Sequence, residues 1–146
     1  MIIYFGIGSN LGNRDNNIRQ ALDWLDQLVG EQLACSSIYR SEPQGFISEN
    51  EFANIVAVYN IDKYSLEDVL HITQQIEREI GRTQKSVNGI YHDRVIDIDL
   101  LQAFHNSKSL IHNSSTLTLP HPRMQERDFV MVPLNEVKDK MQKKYM

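Results

Sequence analysis

Two aspartates stand two residues apart in the stretch HDRVIDIDLL, residues 92–101. The β-branched and aliphatic residues around them favour a strand, and strand alternation puts Asp97 and Asp99 on one face with Ile96, Ile98 and Leu100 on the other. Carboxylates spaced about 7 Å along a strand can bracket hard cations such as magnesium, which takes oxygen ligands and shares them with substrate phosphates. Ion pairs with Arg82, Arg94 or Arg127, or plain exposure to water, are the alternative account. Arg82 follows a helix end, Arg94 stands just before the strand, and Arg123 and Arg127 come later. Guanidinium groups beside metal carboxylates suit a polyphosphate, whose charge has to be neutralised from several sides.

Other residues carry weaker chemical signals. The turn Gly8-Ser9-Asn10-Leu11-Gly12 precedes a helix, so its amides could hold an anion. It lacks the Lys-Ser/Thr of a P-loop, and a tight strand-to-helix turn is the simpler account. Phe52 and Asn54 share a strand face, a pairing that can stack on a flat ring and hydrogen-bond its edge, although a phenylalanine near a strand start also suits a core. His121, between two prolines, is either a ligand contact or a loop histidine satisfied by water. Gln74 and Glu77 form the polar face of a helix unless that face meets a ligand.

These residues need elements to position them. Ile2 to Ile7 reads as a strand, and Asn13 as the N-cap of a helix from Arg14 whose stripe is Ile18, Leu22, Leu25 and Leu28, with Gly30 as the stop. LACSSIYR reads as a second strand, SEPQGFISENE as a turn-rich loop, and FANIVAVYNI as a third strand. Ser65 and Asp68 form a capping box, flanked by Tyr64 and Val69, for a helix carrying Leu66, Val69, Leu70, Thr73, Ile76 and Ile80 and ending at Gly81. A polar loop, 82–93, then leads into VIDIDLL. The order β-α-β-β-α-β is that of the split βαβ motif. The expected class is therefore α+β: a ferredoxin-like core, an antiparallel sheet with helices on one face, and C-terminal strand and helix additions. The additions comprise a turn at Asn106-Ser107, short strands near Leu110 and Leu117, and a helix near 128–138 that Pro133 interrupts.

Composition bounds the function. With 146 residues, 41% hydrophobic and 23% charged, the chain fits one domain over residues 1–146 with a buried core. A formal net charge of −4 gives no general attraction to nucleic acid or anionic membrane, and no aromatic RNA-binding strand motif is present. Cys35 is the only cysteine, which excludes a disulfide framework, and the five histidines lack zinc-ligand spacing. The N-terminal MIIYFGIGSN is too short to span a bilayer and lacks a basic region with a cleavage site, so a soluble, cytoplasmic protein is expected.

IGSNLG, SSIYRSEPQG, FANIVA, IEREIGR, DRVIDIDLL and LTLPHPRMQERDFVMVPL stand in this order along the chain. Together they resemble the 6-hydroxymethyl-7,8-dihydropterin pyrophosphokinase family over nearly its whole length. The resemblance implies transfer of diphosphate from ATP to the pterin's hydroxymethyl group, with release of AMP, in folate biosynthesis. It implies that Asp97 and Asp99 hold two Mg2+ ions, with Arg82 and Arg94 completing the catalytic set. By the same resemblance Gln74, Glu77, Arg82, Arg94, Leu100, His121 and Arg127 bind ATP, Leu100 beside adenine. Asn54 hydrogen-bonds the pterin, Phe52 and Phe129 sandwich it, and Ser41, Glu42, Gln44 and Tyr91 complete its site. The partners implied are these small molecules, with no nucleic acid and no membrane, and a monomer suffices.

Departures from the family pattern concentrate in loops. Gln84 replaces the second arginine of an Arg-x-Arg pair, GIYHDR puts Tyr91 where a tryptophan is usual, and Pro122 follows the histidine in place of a tyrosine. Ser41, Glu42 and Gln44 stand for the more usual Thr, Pro and Leu, which points to backbone contacts. Two rival classes remain at this level: a ferredoxin-like ligand-binding module whose acidic pair is only solvated, and a nucleotidyl transferase that would release pyrophosphate.

Overall fold

The computed structural model describes residues 1–41, 51–81 and 95–145. Its elements run β1 (Ile2–Ser9), α1 (Arg14–Leu28), β2 (Glu31–Cys35), β3 (Tyr39–Ser41), β4 (Phe52–Asn60), α2 (Leu66–Gly81) and β5 (Asp97–His105). They continue with β6 (Lys108–Ser109), β7 (His112–Asn113), β8 (Thr118–Leu119), a short 3-10 turn (Met124–Glu126) and α3 (Asp128–Tyr145). The main sheet has the order β2-β4-β1-β5-β6, with β3 also on β4, and all its pairings are antiparallel. β7 and β8 form a separate ribbon. The expected ferredoxin-like arrangement is present, with β1 and β4 at its centre.

Local chemistry accounts for the element ends. Asn13 caps α1 by accepting the Asn16 N–H at 3.1 Å. Ser65 and Asp68 exchange side chain to backbone hydrogen bonds at 3.2 and 3.3 Å, the capping box expected from their spacing. Asn106 and Ser107 both have positive φ, 51° and 66°, which closes the two-residue hairpin between β5 and β6. At Gly30 the backbone oxygen of Asn60 occupies the space a Cβ would need, so this glycine permits a close strand approach as well as following the helix.

Two apolar layers sandwich the sheet. On one side Ile3, Phe5 and Ile7 of β1 meet Ile18, Ala21 and Leu25 of α1 and Val69, Ile76 and Ile80 of α2. On the other, Tyr4, Val56, Val58 and Leu101 meet Val130, Leu134 and Val137 of α3. α1 and α2 thus share one face as expected, and the C-terminal helix takes the opposite one.

Two details differ from the sequence expectation. The single strand expected over LACSSIYR is split into β2 and β3, both paired with β4. Ser36 makes the break: its N–H donates to Val56 O at 2.9 Å while its Oγ accepts the Val56 N–H at 3.0 Å, so the side chain replaces a carbonyl in the ladder. The last helix is also longer than expected, running through Pro133 to Tyr145. An internal proline costs a helix about 3 kcal/mol, and three buried aliphatic residues at roughly 1.5–3 kcal/mol each outweigh it. Lys140 Nζ on Cys35 O and Lys144 Nζ on Leu33 O fasten the final turns to β2.

Candidate active site

The strand register assembles a row of residues on the α3 face of the sheet. Gly8 of β1 pairs with Asn54 of β4 on one side and Asp97 of β5 on the other. One step along, Gly6 pairs with Val56 and Asp99. Ile55 and Ile98, between these positions, point into the helix-side core, so Phe52, Asn54, Asp97 and Asp99 share the opposite face. A bulge in β5 sets the limit of the row: Phe5 pairs with Leu100 and Tyr4 with Gln102, leaving Leu101 as the extra residue. Leu100 is 3% exposed and lies in the helix-side core, so its side chain does not reach the acidic face.

Asn54 is held in one orientation. Its Nδ2 donates to Tyr39 O at 3.3 Å and to Ser41 Oγ at 3.0 Å. A backbone carbonyl can only accept, so the amide nitrogen faces β3 and Oδ1 turns over Gly8, 2.8 Å from where a Cβ on that residue would sit. The Ser41 hydroxyl thus helps fix the Asn54 amide.

Glu77 reaches the acidic strand from α2. Its Oε2 accepts the Ile98 N–H at 2.8 Å, between the two aspartates in sequence. Burial pushes the Glu77 carboxyl up to about 8; the Ile98 hydrogen bond opposes that rise, and the charges of Asp97 and Asp99 add to it. The concentration of carboxylates makes this the place where a cation is electrostatically favoured. Gln74, one turn earlier, is exposed.

His121 is half-buried beside the same strand. Its backbone N–H donates to Leu101 O at 2.8 Å, and its Nδ1 accepts the Arg123 N–H at 3.2 Å. Burial first, then the positive charges of Arg127 and Arg123, hold its pKa below the usual histidine value, while Asp97 acts the other way. A neutral ring whose Nδ1 accepts carries its proton on Nε2, so His121 offers a donor there. The Arg127 guanidinium lies over the Phe129 ring, 5.5 Å from its centroid. Phe129 in turn packs against the α3-side core.

Of the expected site residues, Ser41, Phe52, Asn54, Asp97 and Asp99 are therefore gathered on or beside one sheet face. Glu77, His121 and Arg127 sit close enough to act electrostatically on the acidic strand or on one another. Glu42, Gln44, Arg82, Tyr91 and Arg94 lie outside the described residues. Among the described residues no group of three His, Cys, Asp or Glu side chains could enclose a metal by itself. Two carboxylates fit magnesium in the manner that leaves its remaining positions to phosphate and water.

One residue escaped the sequence reading. Asn17 is buried and its Nδ2 lies within 3.4 Å of three acceptors, Ser9 Oγ, Leu11 O and Val95 O. It ties the turn after β1 to the approach to β5. The available signal was its phase: Asn17 precedes Ala21 and Leu25 at four-residue intervals, a polar residue on the buried stripe.

Comparison with known proteins matches residues 4–139 to the family model described as 7,8-dihydro-6-hydroxymethylpterin-pyrophosphokinase. The chain is 48% identical over 136 residues to 2-amino-4-hydroxy-6-hydroxymethyldihydropteridine pyrophosphokinase of Porphyromonas gingivalis, covering 93% of this chain and 90% of that protein. The protein of the same name from Bacillus subtilis is 36% identical over 143 residues, covering 97% and 81%. That from Aquifex aeolicus is 33% identical over 135 residues, covering 92% and 79%.

Proposed function

The chain belongs to the 7,8-dihydro-6-hydroxymethylpterin-pyrophosphokinase family and is an ATP-dependent pyrophosphokinase of folate biosynthesis; on that premise we propose how its residues divide the work. The hydroxymethyl oxygen of 6-hydroxymethyl-7,8-dihydropterin attacks the β-phosphorus of ATP. The bond from that phosphorus to the oxygen bridging to the α-phosphate breaks, AMP leaves with that oxygen, and the hydroxyl proton passes to solvent. Residues 1–146 act as one catalytic domain in the cytoplasm.

The observation that supports this most is the row Asn54–Gly8–Asp97. It sets a hydrogen-bonding amide and a carboxylate pair on one face, separated by a position with no side chain. Asn54 reads the pterin edge through Oδ1, and Phe52 and Phe129 flank the ring, with Ser41, Glu42, Gln44 and Tyr91 around it. Arg127, together with Arg82 and Arg94, neutralises the triphosphate. His121 donates from Nε2 to the nucleotide, near which Gln74 and the Leu100 backbone also lie. Glu77 fixes the Ile98 amide and so the direction of the strand that carries both aspartates. Asp97 and Asp99 would hold two magnesium ions, which when bound offset phosphate charge and make the hydroxyl more acidic.

Product analysis tests this. The protein is incubated with ATP, magnesium and the pterin, and the nucleotides are separated. Pterin-dependent AMP without ADP or free pyrophosphate is the expected result. Free pyrophosphate would indicate nucleotidyl transfer instead, and no turnover by folded protein would indicate a binding module.

A further inference from the structure

Strands fray where their last rung ends, and Asp97 stands at such a place. It is the first residue of β5, and its partner Gly8 is the last that β1 offers before the chain turns toward α1. The backbone around it is nevertheless held on both edges. The Ile98 N–H donates to Glu77 of α2, so by antiparallel alternation it faces away from β1, and Asp97 and Asp99 on either side of it make the rungs to Gly8 and Gly6. The same alternation turns the Val95 carbonyl toward the β1 side. Beyond the end of the ladder it meets a side chain instead of a strand: Asn17 Nδ2 of α1, at 3.4 Å.

The orientation of that amide is fixed by its partners. Leu11 O at 2.9 Å and Val95 O can only accept, so the nitrogen faces them, with Ser9 Oγ third at 3.2 Å. Asn17 is 5% exposed and Ser9 is fully buried, which leaves little room for water to take the place of the amide.

We propose that Asn17 is a positioning residue for the acidic strand: its amide supplies the rung that β1 no longer provides and so holds Asp97 in register. The proposal rests on the functional reading above and names what keeps its carboxylate pair aligned. Asn17 from α1 and Glu77 from α2 grip β5 on opposite edges, two residues before Asp97 and one residue after it. Asp99 lies further inside the ladder, between the paired residues Ile98 and Leu100. Loss of the Asn17 amide is therefore felt at Asp97 first, and through it by magnesium. Phe52, Asn54 and Phe129, assigned above to the pterin, are not among the partners of this amide.

The test uses Asn17→Leu, which keeps the volume and removes both N–H donors. Backbone hydrogen exchange is expected to quicken at Asp97 about tenfold more than at Asp99, as local fraying requires. Calorimetric titration with a non-hydrolysable ATP analogue is expected to need about tenfold more magnesium for half-saturation, the scale on which partners of metal ligands act, with the KM for the pterin nearly unchanged. A merely structural role would lower the melting temperature and leave the magnesium requirement where it was. That result in folded Asn17→Leu overturns the proposal. A second measurement needs no variant: in wild type the Asp97 amide is expected to be protected about as well as that of Asp99, and exchange at the rate of a frayed end overturns the role. A wild type that binds magnesium and nucleotide but makes no pterin-dependent AMP overturns the reading of the reaction and not the role of Asn17. One that binds no magnesium with the nucleotide overturns both.

Discussion

Asp97 and Asp99 share one strand face beside Glu77, whose carboxyl is pushed up by burial foremost and further by their charges. Replacing Asp97 by asparagine preserves its size, removes its charge and turns one of its two acceptor oxygens into a donor. Asp97→Asn is therefore expected to keep its far-ultraviolet spectrum and lose at least about a hundredfold in turnover, since disturbing even the outer partners of a metal ligand costs 10–100-fold. Steady-state assays across a magnesium titration would check this, and near-normal turnover would remove the metal role. Phe129 offers a second residue-level test. Its ring already carries the Arg127 guanidinium on one side and rests on the α3-side core. Phe129→Ala is expected to weaken pterin binding about tenfold, the order of one lost stacking contact, and ATP binding much less. Equal losses measured for both ligands would sink the stacking role.

The elements hold these residues through close backbone fits. The chain leaves α1 and enters β2 at Gly30, where a side chain would collide with the Asn60 backbone at the end of β4. Gly30→Ala is thus expected to destabilise the fold by about 1–3 kcal/mol, measurable as a lower urea midpoint with little change in slope. An unchanged midpoint would mean that β4 yields easily there. Much of this level was legible from sequence. The period-2 run at residues 96–100 and the capping box at Ser65 follow from local rules. Ser36 did not show itself, because a serine standing in for a carbonyl in the ladder has no local signature. Pro133 misled for the converse reason: the penalty is local, whereas the burial that overrides it belongs to the sheet opposite. Glu77 reads as a surface residue until α2 is laid against β5.

At the scale of the whole molecule, α3 closes the second apolar layer and is clasped at Glu136. That carboxylate accepts from Ser37 Oγ and Ser37 N, both at 2.7 Å, and pairs with Lys140 at 3.1 Å. The Ser37 hydroxyl foremost holds the Glu136 carboxyl below its ordinary value of 4.5. A lowered carboxylate contributes stability that is in place above the unfolded value and is lost as pH falls through the folded one. Wild type is therefore expected to melt slightly above Glu136→Gln at pH 7, with the gap closing as pH falls below the ordinary carboxylate value of 4.5; the gap stays small because solvent screens an exposed clasp. A gap that persists into acid would assign the difference to shape instead of charge. The row Asn54–Gly8–Asp97 has a last consequence at this scale. Its members come from three strands and from widely separated parts of the chain, so loop closure on both sides of β1 must be complete before it exists. No single hairpin can bind substrate, which makes recovery of activity during refolding a reporter of global folding. By linkage, a ligand that binds only the assembled sheet raises its melting temperature as a unit.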